Sequence, residues 1–356
     1  MSRFINERYK GLEGYTPGEQ PDADRFIKLN TNESPFPPAP CVENALSGID
    51  TGKLRLYPDP SCASLKERLS ERYGVSPDEV MVTNGSDDVL EYFFMAYGES
   101  APAAFPDITY SFYKVLAELH GVLYEEIPLD GDLTISPDDY IGIEKNVVIA
   151  NPNAPTGLML SQGEIEEIVK SNPDNMVLID EAYVDFGAES CIPLIHKYDN
   201  LLVVQTYSKS RSFAGGRVGF AFGDREVIED LEKIRFSMSP YSVDRISQVL
   251  AEAALDDEDY YLENIEEIKK NRRYTRLALS DLGFKVVPSM ANFIFVRHHS
   301  IKGADLYNEL KDSGILVRHF DQERIREYNR ITIGARDEMD ELVRVIREIL
   351  EERSII

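Results

Sequence analysis

The stretch LLVVQTYSKSRSFAGGR, residues 201–217, opens on an apolar run and closes on a lysine, a glycine pair and an arginine. A continuous apolar run of strand length, bounded by small polar residues, predicts a strand covered on both faces, here Leu201–Thr206. Two upstream stretches have the same form. VVIANPNAPTG, residues 147–157, runs from an apolar strand into Asn and Pro, and MVLIDEAY, residues 176–183, from an apolar strand into two carboxylates.

Helices alternate with these runs. The spacing predicts helices at Ser61–Tyr73, Ser86–Tyr97 (capped by Ser86), Tyr110–His120 and Ser161–Lys170. Further strands are predicted at Val80–Thr83, Val122–Ile127 and Val218–Phe222. Buried strands separated by helices indicate an α/β chain with a mostly parallel sheet covered by helices. A long helical stretch is expected from Tyr241 to Leu279. Short strands follow at Lys285–Val287, Phe293–Val296, Ile315–Val317 and Arg330–Ile333, and a last helix at Arg336–Arg353, which together read as a smaller α+β unit. The first forty residues end in SPFPPAP, residues 34–40, and read as an extended arm, either a linker or a strap over a site.

The 356 residues carry 38 Lys+Arg against 63 Asp+Glu, a formal net charge of −25. That balance opposes nucleic acid and anionic membranes as partners, which need clustered cations. A small anionic substrate remains open if a few arginines are held together. Cys41, Cys62 and Cys191 are too scattered for a disulfide framework or a cysteine zinc site and fit a reducing cytoplasm. The five histidines include no H-x-x-x-H pair, so no metal is expected. No stretch approaches the roughly 18 apolar residues of a membrane span, and the opening residues do not read as a secretory leader.

Four features carry chemistry, and each also has a plainer reading alone. Asn84-Gly85-Ser86-Asp87 joins a strand to a helix, where free N–H groups can hold an anion or simply be capped. Asn151-Pro152-Asn153-Ala154-Pro155-Thr156-Gly157 lies at a strand end, where open α/β sheets bind ligands, or is only a turn. Asp180 and Glu181 follow a buried strand, as a helix cap or as carboxylates that need partners. Lys209, among small polar residues, is a surface lysine or a partly desolvated amine suited to nucleophilic work. Asp180 precedes Lys209 by 29 residues and Arg217 follows it by eight. Together these are the parts of a pyridoxal 5′-phosphate site: lysine for the aldehyde, aspartate for the pyridine nitrogen, helix start and arginine for the phosphate.

With that set assembled, the chain resembles the fold-type I, class I/II pyridoxal-phosphate-dependent aminotransferases. The resemblance runs nearly end to end, through Tyr15-Thr16-Pro17-Gly18, Lys28-Leu29-Asn30-Thr31-Asn32-Glu33, Tyr57-Pro58-Asp59-Pro60, Asn84-Gly85-Ser86-Asp87, Asp180-Glu181-Ala182-Tyr183, Ser208-Lys209 with Arg217, and Ile331-Thr332-Ile333-Gly334. The blocks around Asn30 and Tyr57 point to its histidinol-phosphate branch. The resemblance implies a large domain (45–245) with a seven-stranded sheet, a small C-terminal domain (246–356), and an N-terminal arm (1–44) that joins the small domain. It implies that Lys209 binds the cofactor and moves the proton, Asp180 pairs with the pyridine nitrogen, and Tyr183 bonds the phenolic oxygen. Tyr110 would stack on the ring, and Ser86, Asp87 (through its N–H), Ser208 and Arg217 would surround the phosphate.

Tyr57 would reach the phosphate of a second subunit, making a homodimer with shared sites. The family's Asn before Pro-Thr-Gly is here Ala154, so Asn153 is expected to take its place. Arg330 and Arg318 would hold the substrate anion, with Tyr15 and Asn32 closing over it. The implied reaction is amino transfer between histidinol phosphate and 2-oxoglutarate, giving imidazole acetol phosphate and glutamate. Threonine-phosphate decarboxylation, or amino transfer from an aromatic or other amino acid, is the alternative.

Overall fold

The computed structural model describes residues 2–20 and 26–356, so the expected arm over 1–44 is described except at 1 and 21–25. The elements up to the first sheet's end are β1 (Ile27–Lys28), α1 (Pro40–Ser47), α2 (Ala63–Tyr73), β2 (Val80–Thr83), α3 (Ser86–Tyr97), β3 (Ala103–Pro106), α4 (Phe112–His120), β4 (Tyr124–Ile127), β5 (Asn146–Ala150), α5 (Gln162–Ser171), β6 (Val177–Asp180), β7 (Leu201–Thr206) and β8 (Gly219–Gly223). Then come α6 (Arg225–Met238), α7 (Arg245–Ala253), α8 (Glu258–Asp281), β9 (Phe284–Val287), β10 (Phe293–His298), α9 (Gly303–Asp312), β11 (Ile315–Leu316), β12 (Arg318–His319), β13 (Asn329–Thr332) and α10 (Arg336–Glu352).

Seven strands form the large sheet in the order β2-β8-β7-β6-β5-β3-β4. β3 to β7 run parallel to one another, while β8 is antiparallel to both β7 and β2. Alternation along each strand splits the core between two faces. Ile149, Ile179, Val203 and Phe222 pack on one side, and Val148, Leu178, Val204 and Ala221 on the other. A second sheet, β12-β13-β10-β9, is backed by α8 and α10. β1 pairs in parallel with β11, Ile27 opposite Ile315, which fastens the N-terminal arm to this smaller unit.

Several expectations shift. Gly85, not Ser86, is the N-cap of α3, and no side chain caps that helix. Tyr110 stands in the loop before α4, which begins at Phe112. Strand β4 starts at Tyr124 because the Val122 N–H closes the end of α4 onto Ala117 O at 2.8 Å. The long stretch from Tyr241 is two helices, since Asp244 and Asp257 each cap a new helix start. Proline does not exclude helix at the end of the arm: Pro40 opens α1, where a missing N–H costs nothing. The elements β3, α1, α6 and α9 were not among those expected.

Candidate active site

The parallel strands deliver their C-terminal ends to one edge of the large sheet. Ala150 lies opposite Asp180 in the ladder, and Asp180 opposite Val204, so the loops after β5, β6 and β7 start side by side. A cleft opens there, walled by those loops, by the start of α3, by the N-terminal arm and by β12 and β13. It brings together Lys209, Asp180, Tyr183, Ser86, Asp87, Tyr110, Ser208, Arg217, Arg330, Arg318, Tyr15 and Asn32.

One end is built for an anion. Gly85, at φ +82°, turns the chain from β2 into α3 and leaves the first-turn N–H groups without a side-chain cap. A Cβ on Gly85 would lie 2.5 Å from Arg217 Nη2, and one on Gly219 would lie 2.3 Å from both Gly85 C and Ser86 N. Only glycines let the helix start, the arginine and β8 approach this closely. Arg217 Nη2 sits 3.3 Å from Asp87 Oδ2, and Tyr110 donates to Asp87 Oδ1 at 3.1 Å. Both oxygens of the Asp87 carboxylate are thus engaged by neighbouring side chains. Ser208, buried, accepts from Thr206 Oγ1 at 2.9 Å.

The middle holds the ionisable groups. Asp180 Oδ2 accepts from Tyr113 at 2.8 Å and Oδ1 from the Ala182 N–H at 3.1 Å. Burial outweighs both bonds and pushes this carboxyl up to about 6. A buried carboxylate with only neutral donors calls for a cation, and a protonated ring nitrogen in the cleft would serve. Lys209 Nζ donates to Thr31 O at 3.2 Å and lies 5.7 Å from the Tyr183 ring centre. Asn32 Nδ2 donates to the Tyr183 hydroxyl at 2.9 Å. The arm is a strap and not a linker. The Asn32 N–H bonds Thr332 Oγ1 at 3.0 Å and its carbonyl takes Asn292 Nδ2 at 3.0 Å, which ties Asn32 to the small unit.

Asn153, expected to take the place of the missing asparagine, is not among the residues that line the cleft. Its Nδ2 is spent on Ile108 O at 2.9 Å and Thr156 Oγ1 at 3.2 Å, and its Oδ1 accepts from Thr109 at 2.7 Å. It stands behind Thr109, while the Ala154 side of the turn faces the cleft. Tyr57 is not on this wall either. It is 75% exposed and stacks on Tyr241 at 4.4 Å.

At the far end, Arg318 and Arg330 face each other across β12 and β13. Arg330 donates to Asn30 O at 3.0 Å and Arg318 to Thr16 O at 3.4 Å. Among the described residues neither has a carboxylate partner, and Arg330 Nε is buried and unbonded. Tyr15 packs edge-on against Tyr110 at 5.9 Å and closes the cleft beside them. Sequence reasoning missed Tyr113 and Phe320. Tyr113 lies three residues after Tyr110 on the buried face of α4, and Phe320 two after Arg318; both spacings were readable, but not their targets.

Comparison with known proteins bears on this arrangement. The family model "Aminotransferase class I and II" matches residues 24–346. A histidinol-phosphate aminotransferase of Brachyspira hyodysenteriae is 46% identical over 353 residues, covering 99% of this chain and all of that protein. The crystal structure of histidinol-phosphate aminotransferase from Sinorhizobium meliloti, in complex with pyridoxal 5′-phosphate, superposes with a TM-score of 0.84 at 26% identity, over 98% of this chain and 100% of its own. An L-threonine-O-3-phosphate decarboxylase from Porphyromonas gingivalis has the same fold, with a TM-score of 0.80 at 21% identity over 91% of this chain and 99% of its own.

Proposed function

This chain belongs to the class I and II aminotransferases, and from that premise we propose that it transfers the amino group of histidinol phosphate to 2-oxoglutarate with pyridoxal 5′-phosphate as cofactor. The observation that carries the substrate reading is the facing pair Arg318 and Arg330, without carboxylate partners, in the same cleft as Lys209 and Asp180. Two guanidinium groups suit a phosphate dianion, and one of them suffices for a carboxylate. The full-length similarity to histidinol-phosphate aminotransferases favours this reading over the decarboxylase, whose likeness extends to the fold alone.

The residues fit the cofactor at the two points where fit is most demanding. The Gly85–Gly219 approach leaves a backbone cradle for its phosphate, and buried Asp180 wants a cation. The Ser86 and Asp87 N–H groups, Ser208 and Arg217 would hold the phosphate. Asp180, fixed by Tyr113, would pair with the pyridine nitrogen, Tyr183, oriented by Asn32, would bond the phenolic oxygen, and Tyr110 would cover the ring. Bound there, the cofactor supplies an electron sink for the bond broken at the substrate Cα. Lys209, whose amine reaches into the cleft, would be the residue that holds the cofactor aldehyde and, as the free amine, the base that moves the substrate Cα proton. The Thr31 carbonyl keeps that amine pointed along the strap. Arg330 and Arg318 orient the substrate by its anionic end, and Tyr15 and Asn32 exclude water above it.

The reading extends to a homodimer with shared sites. Leu54, Leu56, Tyr57 and Tyr241 are 50%, 51%, 75% and 43% exposed, an apolar surface that suits a second copy, with Tyr57 reaching that copy's phosphate. It extends to a division at 1–44, 45–245 and 246–356, supported by the pairing of β1 with β11. We place the enzyme in the cytoplasm; among the described residues no helix is long and apolar enough to cross a membrane.

The test compares histidinol phosphate, threonine phosphate and phenylalanine as amino donors to 2-oxoglutarate. Histidinol phosphate is expected to give the highest kcat/KM. A higher value for phenylalanine, or release of carbon dioxide from threonine phosphate as the faster reaction, would overturn the assignment.

A further inference from the structure

Arg318 and Arg330 stand directly opposite each other on adjacent antiparallel strands, an arrangement that like charges ordinarily destabilise. No acidic side chain among the described residues lies within salt-bridge distance of either. One aromatic ring serves both. The Arg318 and Arg330 guanidinium carbons each lie 5.8 Å from the centre of Phe320, within the range where a ring face attracts a cation. Phe320 lines the same cleft and follows Arg318 by two residues. It is seated edge-on against Phe295 at 6.1 Å, itself stacked on Tyr328 at 4.6 Å.

The two arginines depend on this ring unequally. Arg330 has a second ring, Phe293, at 5.4 Å and a 3.0 Å bond to Asn30 O. Apart from Phe320, Arg318 has a 3.4 Å contact with Thr16 O and the longer-range attraction of Glu19, which is itself bonded to Lys311. Without the ring, repulsion from Arg330 favours turning Arg318 toward solvent, while Arg330 stays in place.

We propose that Phe320 is the positioning residue that keeps Arg318 turned into the cleft beside Arg330, and so sets the preference for a phosphate dianion over a carboxylate. This rests on the reading that the arginine pair receives the substrate's anionic end. Phe320 touches neither reacting atom; it acts through Arg318.

The holoenzyme variants Phe320→Leu, Phe320→Tyr, Arg318→Ala and the Phe320→Leu/Arg318→Ala double test this. Each is assayed for KM and kcat with histidinol phosphate, KM with glutamate, and competitive inhibition by inorganic phosphate. Phe320→Leu is expected to raise the histidinol phosphate KM and the phosphate Ki roughly three- to fivefold, the loss of a cation–π contact at a half-buried site. The kcat and the glutamate KM should change much less, and Phe320→Tyr should restore wild-type values. In the Arg318→Ala background, Phe320→Leu should add nothing, because the residue it acts through is gone. An equal rise in both KM values, a fall in kcat alone, failure of Tyr to restore, or full additivity with Arg318→Ala would each overturn the proposal. If inorganic phosphate fails to compete even with the wild-type enzyme, the arginine pair does not hold a phosphate, and the substrate reading falls first.

Discussion

Asp180 and Glu181 are neighbours in sequence and opposites in setting. Asp180 faces the α4 side and the cleft, where a cation can reach it. Glu181 is buried away from the cleft, held by Ser190 Oγ at 2.6 Å, the Cys191 N–H at 2.5 Å and Gln205 at 2.8 Å. Burial pushes Glu181 up from 4.5 to about 7. A carboxyl raised in the folded state binds its proton more tightly there than in the unfolded chain. Its contribution to stability is therefore greatest at low pH and is lost as pH rises from about 4.5 through about 7. In cofactor-free protein, Glu181→Gln should flatten that part of the profile, by about 2–3 kcal/mol across the window. Thermal melts at pH 5 and 7.5 check this, and parallel wild-type and variant profiles would refute it. The pair of carboxylates after an apolar strand was readable, as was their alternation across the sheet. The Tyr113 hydroxyl on Asp180 was not, because it depends on how α4 packs. The placement of Asn153 off the cleft wall was hidden for a related reason: adjacent residues of the turn after β5 present different sides to the cleft.

At the scale of elements, the join of β2 to α3 against β8 decides whether the anion site exists. Gly219→Ala would place a methyl 2.3 Å from the Gly85 and Ser86 backbone, so the helix start must move. The expected cost is about 1–3 kcal/mol of stability, with weaker cofactor retention. Gly163→Ala in α5, where an added Cβ meets nothing within 4 Å, is the control and should leave cofactor retention unchanged while adding up to about 1 kcal/mol of stability. Cofactor titration alongside melting measures the two effects together; equal behaviour of both variants would contradict the account. Strands β2 and β7 were legible to the residue because each is a continuous apolar run closed by polar residues. Strand β3, Ala-Ala-Phe-Pro, has too little apolar signal to be seen without its neighbours β4 and β5. The break between α7 and α8 falls at acidic residues that a helix surface also tolerates.

For the whole molecule, the net charge of −25 makes any anion site a local construction. The large sheet contributes Lys209, Asp180 and Arg217, the small sheet contributes Arg318 and Arg330, and the strap from the arm crosses between them. The proposed homodimer would complete this site with Tyr57 of a second copy. Light scattering should show a dimer at working concentrations, and Tyr57→Phe should loosen the cofactor by about 1.5–3 kcal/mol, one charge-assisted hydrogen bond. A fully active, cofactor-loaded monomer would exclude shared sites. The central claim is that the arginine pair distinguishes a phosphate from a carboxylate, and single-turnover kinetics of the two half-reactions tests it most directly. Removing a buried arginine from an anion costs about 2–5 kcal/mol. Arg330→Ala should cripple amino transfer from both histidinol phosphate and glutamate, whereas Arg318→Ala should slow the histidinol phosphate half-reaction far more than the glutamate one. If Arg318→Ala leaves the histidinol phosphate half-reaction at its wild-type rate, the phosphate is held elsewhere and the account is wrong.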